Sequence, residues 1–236
     1  RRVAATQESL RAALEDLGDR AAGFILEPLL QGAAGMRVMP VAFVQQARQL
    51  CDQYGIPLVA DEVMTGFGRT GAMFACELAG ISPDIMCLAK GLTGGTMSLA
   101  ATVTTEQLFE SFLHHERSRY FPHGHTFTAN PIACAASVAS MRLCREDQVP
   151  ARLERIGRGI YEHLSDLEGD ERVRDLRHLG GMAAFDLVVP EGSQGYLSDV
   201  TPKLRAEALA HGVLLRPLGN VVYALPPACL DDEQVA

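Results

Sequence analysis

Two ionisable residues stand at the ends of apolar runs. Asp61 closes "PLVAD" and Lys90 closes "IMCLAK", and Lys90 is followed at once by "GLTGG", with glycines at 91, 94 and 95. Both runs are nearly continuous in apolar residues, as strands covered on both faces must be. In a parallel sheet, ligands sit beyond the carboxyl ends of the strands, which is where both residues fall. Twenty-eight residues separate them, enough for one crossover between neighbouring strands. A carboxylate and an amine at one sheet mouth need a shared purpose, because burying either alone costs several kcal/mol. Pyridoxal phosphate would supply one. Its aldehyde condenses with a lysine amine, and an aspartate beside its pyridine nitrogen favours the protonated ring that accepts electrons. Once displaced by substrate, the amine can carry a proton between substrate carbon and cofactor carbon. The glycines would let backbone approach such a ligand closely. Spacing alone fits an ordinary strand-end pair reaching solvent better. A phosphate-loop role for "GLTGGT" fails, because no Gly-Lys-Ser/Thr follows the glycines.

The elements that must position this pair alternate between helix and strand. "TQESLRAALEDL" carries Leu10, Leu14 and Leu17 at helical spacing, with Thr6 placed to cap it. "AGFILEP" reads as a short strand. In "VAFVQQARQLCDQYG", Phe43, Val44, Ala47, Leu50, Cys51 and Tyr54 share one helical face, and Gly55 stops it. "IPLVADEV", "DIMCLAKG" and "SLAATVTT" read as further strands. Strands separated by helices imply crossovers and hence a mainly parallel sheet. Beyond "FPHGHTFTANP" a long helix begins, with Asn130 as cap and Pro131 at its first position. From about residue 146 the character changes. A polar amphipathic helix (151–168), a hairpin in "VRDLRHLGGMAAFDLVV", a helix near 201–210 and short strands in "VLLRP" and "NVVYALPP" make a smaller α+β unit.

Composition narrows the function classes. Of 236 residues, 47% are apolar and 21% charged, and the net charge is −8, which argues against nucleic acid. No apolar run reaches the roughly 18 residues of a membrane span. The cysteines at 51, 76, 87, 134, 144 and 229 include no CxxC pair; most read as small buried hydrophobes in a reducing cytosol. Both ends look cut, since the first helix has no strand before it and "LDDEQVA" opens a helix that stops within a turn.

Four blocks carry more than spacing. "FILEPLLQGAAGM", "LVADEVMTGFGRTGAMFACE", "PDIMCLAKGLTGGTMSLAATVTT" and "HGHTFTANPIACAAS" resemble, in order, the signature blocks of class III aminotransferases, pyridoxal 5′-phosphate enzymes of fold type I. The similarity runs from about residue 20 to the end. It implies an α/β fold: a mainly parallel sheet with flanking helices, as the C-terminal part of a cofactor-binding large domain (1–145), then a small α+β domain (146–236). It implies Lys90 as the Schiff-base lysine, Asp61 as the partner of the pyridine nitrogen, and Val63 packed on the ring. Thr126 would bond the cofactor phosphate of the neighbouring subunit, with Gly124 and His125 lining that site. Arg216 would hold a substrate carboxylate through its planar fork, with Tyr223 near the same pocket. Glu27 ends its own strand on the same side as Asp61. Without the resemblance, Val63 reads as core filler, Thr126 as a turn hydroxyl, Arg216 as an exposed strand-end arginine and Tyr223 equally as a core tyrosine.

Within the class, "LTGGTMSLAATVTT", "TFTANPIACAASVAS" and "LLRPLGNVVYALPP" most resemble the branch that serves biotin synthesis. That implies a cytoplasmic homodimer with shared sites, taking an amino group from S-adenosylmethionine to 8-amino-7-oxononanoate and giving 7,8-diaminononanoate. His125 stands where that branch usually has proline and other class III enzymes often have histidine. A transaminase of ω-amino acids or diamines is therefore the alternative. The family's N-terminal portion, with its glycine-serine phosphate cup and stacking aromatic, is absent from this sequence, so a catalytically silent fragment is the third reading. "HGH" at 123–125, near His114 and His115, lacks a carboxylate or cysteine at ligand spacing, and the class needs no metal, so none is expected.

Overall fold

The computed structural model describes residues 1–190 and 200–235. Helix α1 (Gln7–Leu17) starts from Thr6, whose side chain accepts the Ser9 N–H, the cap geometry that Thr favours. Strand β1 (Phe24–Leu26) follows, then the two-residue strands β2 (Leu30–Gln31) and β3 (Arg37–Val38). Helix α2 (Val41–Tyr54) buries Phe43, Val44, Ala47, Leu50 and Cys51, and Gly55 ends it at φ 64°. There follow β4 (Leu58–Asp61), α3 (Ala75–Ala79), β5 (Ile85–Leu88), β6 (Ala101–Thr104) and α4 (Glu106–Glu110). Helix α5 (Pro131–Glu146) is capped by Asn130, whose side chain accepts from Ile132 and Ala133. The rest comprises α6 (Val149–Leu164), β7 (Val173–Leu179), β8 (Met182–Leu187), α7 (Val200–Ala210), β9 (Val221–Ala224) and α8 (Asp232–Val235). Among the described residues no helix is long and apolar enough to cross a membrane.

The chain forms two units. The first comprises Arg1–Leu29, Met39–Phe67 and Phe74–Asp147; the second comprises Leu30–Val38, Gly68–Met73 and Gln148–Ala236.

The first unit holds a four-stranded sheet in the order β1-β4-β5-β6. β1 runs parallel to β4, with Leu26 opposite Ala60, and β4 parallel to β5, with Asp61 opposite Cys87. The carboxyl ends of these three strands therefore share one side. β6 closes the sheet antiparallel to β5. Helix α2 packs on β4 and is flanked by α1 and α3. The Asp84 carboxylate fastens the starts of β4 and β5: Oδ2 accepts the Leu58 N–H at 2.7 Å and Arg48 Nη1, from α2, at 2.6 Å. Burial alone pushes the Asp84 carboxyl up, but these donors outweigh it and hold it below the usual aspartate range.

The second unit is built on the antiparallel sheet β7-β8-β9. Helix α6 packs against β7 and β8, and Gly157 makes that approach possible, because a Cβ there would run into the Gly180 carbonyl of the β7–β8 turn. The expected strand in "VLLRP" does not form. Pro217 has no N–H for a ladder, and Leu218 and Val221 bond each other across a tight turn at 2.9 and 3.1 Å. Only Val221–Ala224 is left to pair with β8. Of the cysteines, Cys51, Cys76 and Cys144 are buried, Cys87 and Cys134 half-buried, and Cys229 exposed, and none of these six forms a disulfide. Burial pushes the Cys51 thiol up to about 11, the behaviour of an inert core thiol.

Candidate active site

Because β4 and β5 are parallel neighbours in register, Asp61, the last residue of β4, and Lys90, two residues past β5, stand at the carboxyl ends of adjacent strands. Asp61 is half-buried. Its Oδ1 accepts the Val63 N–H at 3.1 Å, and among the described residues no other hydrogen bond reaches this carboxylate. It thus keeps acceptor capacity for a ligand N–H, with Val63, also half-buried, two residues on.

The next residue behaves in the opposite way. Glu62 is fully buried. Its carboxylate accepts Thr65 Oγ1 at 2.5 Å, the Ala75 N–H at 3.1 Å and the Cys76 N–H at 2.8 Å. Those bonds tie the loop after β4 to the first turn of α3, so neighbouring acids divide their tasks. Sequence reasoning missed Glu62. The available signal was an acid one step out of phase with Asp61, which strand alternation turns to the other side, with the hydroxyl of Thr65 three residues on.

Lys90 is exposed and opens a 3-10 turn, Lys90–Thr93, after the extended Ala89. Its φ is 46°, a left-handed conformation that non-glycine residues adopt at a cost of roughly 1–2 kcal/mol. The turn is clamped from both sides. A Cβ added at Gly91 would stand 2.8 Å from Phe67 Cβ, and Ser140 Oγ of α5 donates to the Gly91 carbonyl at 3.3 Å. Phe67 is itself left-handed at φ 57° and packs edge-on against Phe74, with centroids 5.6 Å apart. One left-handed residue, Phe67, thus packs on the turn that another, Lys90, opens, and overdetermined strain of this kind is concentrated at functional sites.

Gly124, His125 and Thr126 lie together on the exposed loop before α5. The local turn is made by Thr128, whose Oγ1 accepts the His125 N–H at 2.9 Å, and by His125 Nδ1, which accepts the Phe127 N–H at 3.1 Å. Among the described residues the Thr126 hydroxyl makes no hydrogen bond, and none ties this loop to Asp61 or Lys90. Arg216, exposed, and Tyr223, half-buried on β9 opposite Ala184, belong to the second unit. Glu27, half-buried, directly follows β1. Among the described residues no group of three or more His, Cys, Asp or Glu is placed to hold a metal.

The residues present fit pyridoxal phosphate in chemistry. Asp61 offers an acceptor to a pyridine N–H, Lys90 a primary amine to a carbonyl, and Thr126 a hydroxyl to a phosphate. The comparisons with known proteins point the same way. A family model described as aminotransferase class-III matches residues 1–236. The adenosylmethionine-8-amino-7-oxononanoate aminotransferase of Synechococcus elongatus is 47% identical, over 99% of this chain and 53% of its own length. That of Geobacter sulfurreducens is 44% identical, over 96% and 51%. Among solved structures, the enzyme of the same name from Methanocaldococcus jannaschii matches with a TM-score of 0.88 and 32% identity, covering 97% of this chain and 54% of that one. An amine transaminase from an uncultivated Pseudomonas species, in its PLP-bound form, matches with a TM-score of 0.87 and 33% identity, over 97% and 53%. The chain spans about half the length of the curated relatives it matches.

Proposed function

The chain belongs to the class III aminotransferase family, and on that premise we propose that its protein transfers an amino group from S-adenosylmethionine to 8-amino-7-oxononanoate, giving 7,8-diaminononanoate for biotin synthesis. The observation that carries the chemistry is the half-buried acid and the exposed amine at the ends of two adjacent parallel strands. The substrates rest on the curated relatives, whose names agree and whose identities reach 47% over nearly the whole of this chain. Pyridoxal 5′-phosphate, when bound, supplies a carbonyl that captures amines and a ring that accepts electrons.

This chain's own residues would then act as follows. Lys90 holds the cofactor, and its Nζ moves the proton between the substrate carbon and the cofactor carbon. Asp61 keeps a positive charge on the ring nitrogen by facing it with a carboxylate. Val63 packs on the ring. Thr126, with Gly124 and His125, serves the phosphate or substrate edge of a partner subunit's site in a homodimer. Arg216 orients a substrate carboxylate, with Tyr223 beside it. In this proposal residues 1–145 are part of the cofactor-binding domain, 146–236 are the small domain, and the enzyme works in the cytoplasm.

A second reading, a transaminase of ω-amino acids or diamines, is favoured by His125 and by an amine transaminase that matches as well in structure as the jannaschii enzyme. The full-length protein, loaded with cofactor and 8-amino-7-oxononanoate, separates the readings. Product that appears by mass spectrometry with S-adenosylmethionine and not with β-alanine supports the proposal. Product with β-alanine alone supports the second reading, and no transfer from either donor overturns both.

A further inference from the structure

A pocket of about 370 Å3 is lined entirely by residues of the second unit, among them Arg37, Arg174, Asp175, Arg177, Asp186 and Asn220. None of the residues assigned above to amino transfer lines it. Its arginines are gathered by an irregularity of β7. Side chains three apart on a regular strand point to opposite faces, so Arg174 and Arg177 should diverge. Instead Arg174 is opposite Asp186 and Arg177 opposite Ala184. Three steps along β7 match two along β8, and the extra residue brings both arginines to one face, as a bulge does. Asp175, inside the bulge, is left-handed at φ 53°, so the arrangement is held against a conformational cost.

The three arginines are not equivalent. Arg177 is spoken for: its side chain is only 9% exposed. It donates to the Met36 and Gly35 carbonyls at 2.8 and 2.7 Å, to the Asp175 carbonyl at 2.6 Å and to Asp186 Oδ1 at 2.8 Å. It also pairs with the Asp175 carboxylate at 3.1 Å. Both acids of the pocket are thereby engaged by one guanidinium, and Asn220 gives its Nδ2 to the Leu187 carbonyl. Arg37 and Arg174 are exposed, and among the described residues their guanidiniums have neither a hydrogen bond nor an ion pair. An incoming anion thus meets two uncommitted planar forks in a concave site of net positive charge, on a chain whose net charge is −8.

We infer that this pocket binds a small phosphate-bearing anion. Two guanidinium forks offer more donors than one carboxylate can accept, whereas a phosphate dianion matches them in charge and in oxygen count. The volume exceeds that of bare phosphate and falls in the range of small-metabolite sites. The site is independent of the transamination reading.

Calorimetric titration of the full-length protein, first saturated with pyridoxal phosphate so that the cofactor's own phosphate site is filled, tests the inference. Inorganic phosphate and glycerol 3-phosphate are titrated at low ionic strength, with glycerol as uncharged control. At least one of the two phosphates should bind at one site per chain, and glycerol should not bind. Tighter binding of glycerol 3-phosphate identifies an organic phosphate as the ligand class, and equal or tighter binding of phosphate the free ion. Arg37→Gln and Arg174→Gln should each weaken binding about tenfold, and the double variant should abolish it. Arg172→Gln, which removes a guanidinium already bonded to Asp170, should leave affinity unchanged. No binding to the wild type, binding that survives the double variant, or equal weakening by Arg172→Gln overturns the site.

Discussion

Asp61 and Glu62 are chemically alike and adjacent, yet one is left with acceptor capacity and the other is saturated. The difference lies in their surroundings, since Glu62 meets three donors in a fully buried place. Glu62→Ala strands those donors, and three donors left without an acceptor in a buried place should lower stability by roughly 3–5 kcal/mol in urea unfolding. A loss under about 1 kcal/mol would show that the loop after β4 does not depend on it. Asp84 makes a prediction in pH. Its folded-state pKa lies below its unfolded one, so its stabilisation is complete above the ordinary aspartate value of about 4 and drains away as pH falls through the folded value. Wild-type urea midpoints should fall between about pH 5 and pH 3. Asp84→Asn should start lower and fall less. Parallel curves for the two proteins would remove Asp84 from the acid limb. At this scale Asp61 and Lys90 were legible in the sequence because each interrupts an apolar run, whereas Glu62 was hidden beside a more conspicuous neighbour.

At the scale of elements, what could be read was whatever follows a period. The stripe of α2 from Phe43 to Cys51 is buried as its spacing implies, and the caps at Thr6, Gly55 and Asn130 stand where their side chains or φ angles require. Two-residue strands such as β2 and β3 have too few residues to show alternation. The strand expected in "VLLRP" was overruled by Pro217 and the turn after it. The bulge in β7 depends on its pairing with β8, a long-range fact that local pattern cannot carry. Close backbone contact is equally invisible: Gly157 looks like one more small residue on α6, yet the Gly180 carbonyl occupies the place of its side chain. Gly157→Ala should therefore destabilise by roughly 1–3 kcal/mol through overpacking. Gly159→Ala, which meets only Val235 Cγ1 at 3.0 Å, should come within about 0.5 kcal/mol of wild type. Equal effects from both would show that α6 does not press on the β7–β8 turn as described.

For the molecule as a whole, the acidic composition argued only against nucleic acid, the order of four sequence blocks carried the resemblance to the family, and the first unit places the acid and the amine on one sheet mouth. What the sequence could not convey is how residues far apart are partitioned. Short pieces such as Leu30–Val38 and Gly68–Met73 fold with the second unit, although they lie between segments of the first. The central claim concerns one amine, that of Lys90, and the other lysine of this sequence, Lys203, serves as its internal control. The full-length protein is loaded with pyridoxal phosphate, reduced with borohydride, digested and mapped by mass spectrometry. The account predicts a phosphopyridoxyl group on the peptide containing Lys90 and none on that containing Lys203. Modification of Lys203 with Lys90 untouched, or no modification of either, would contradict it.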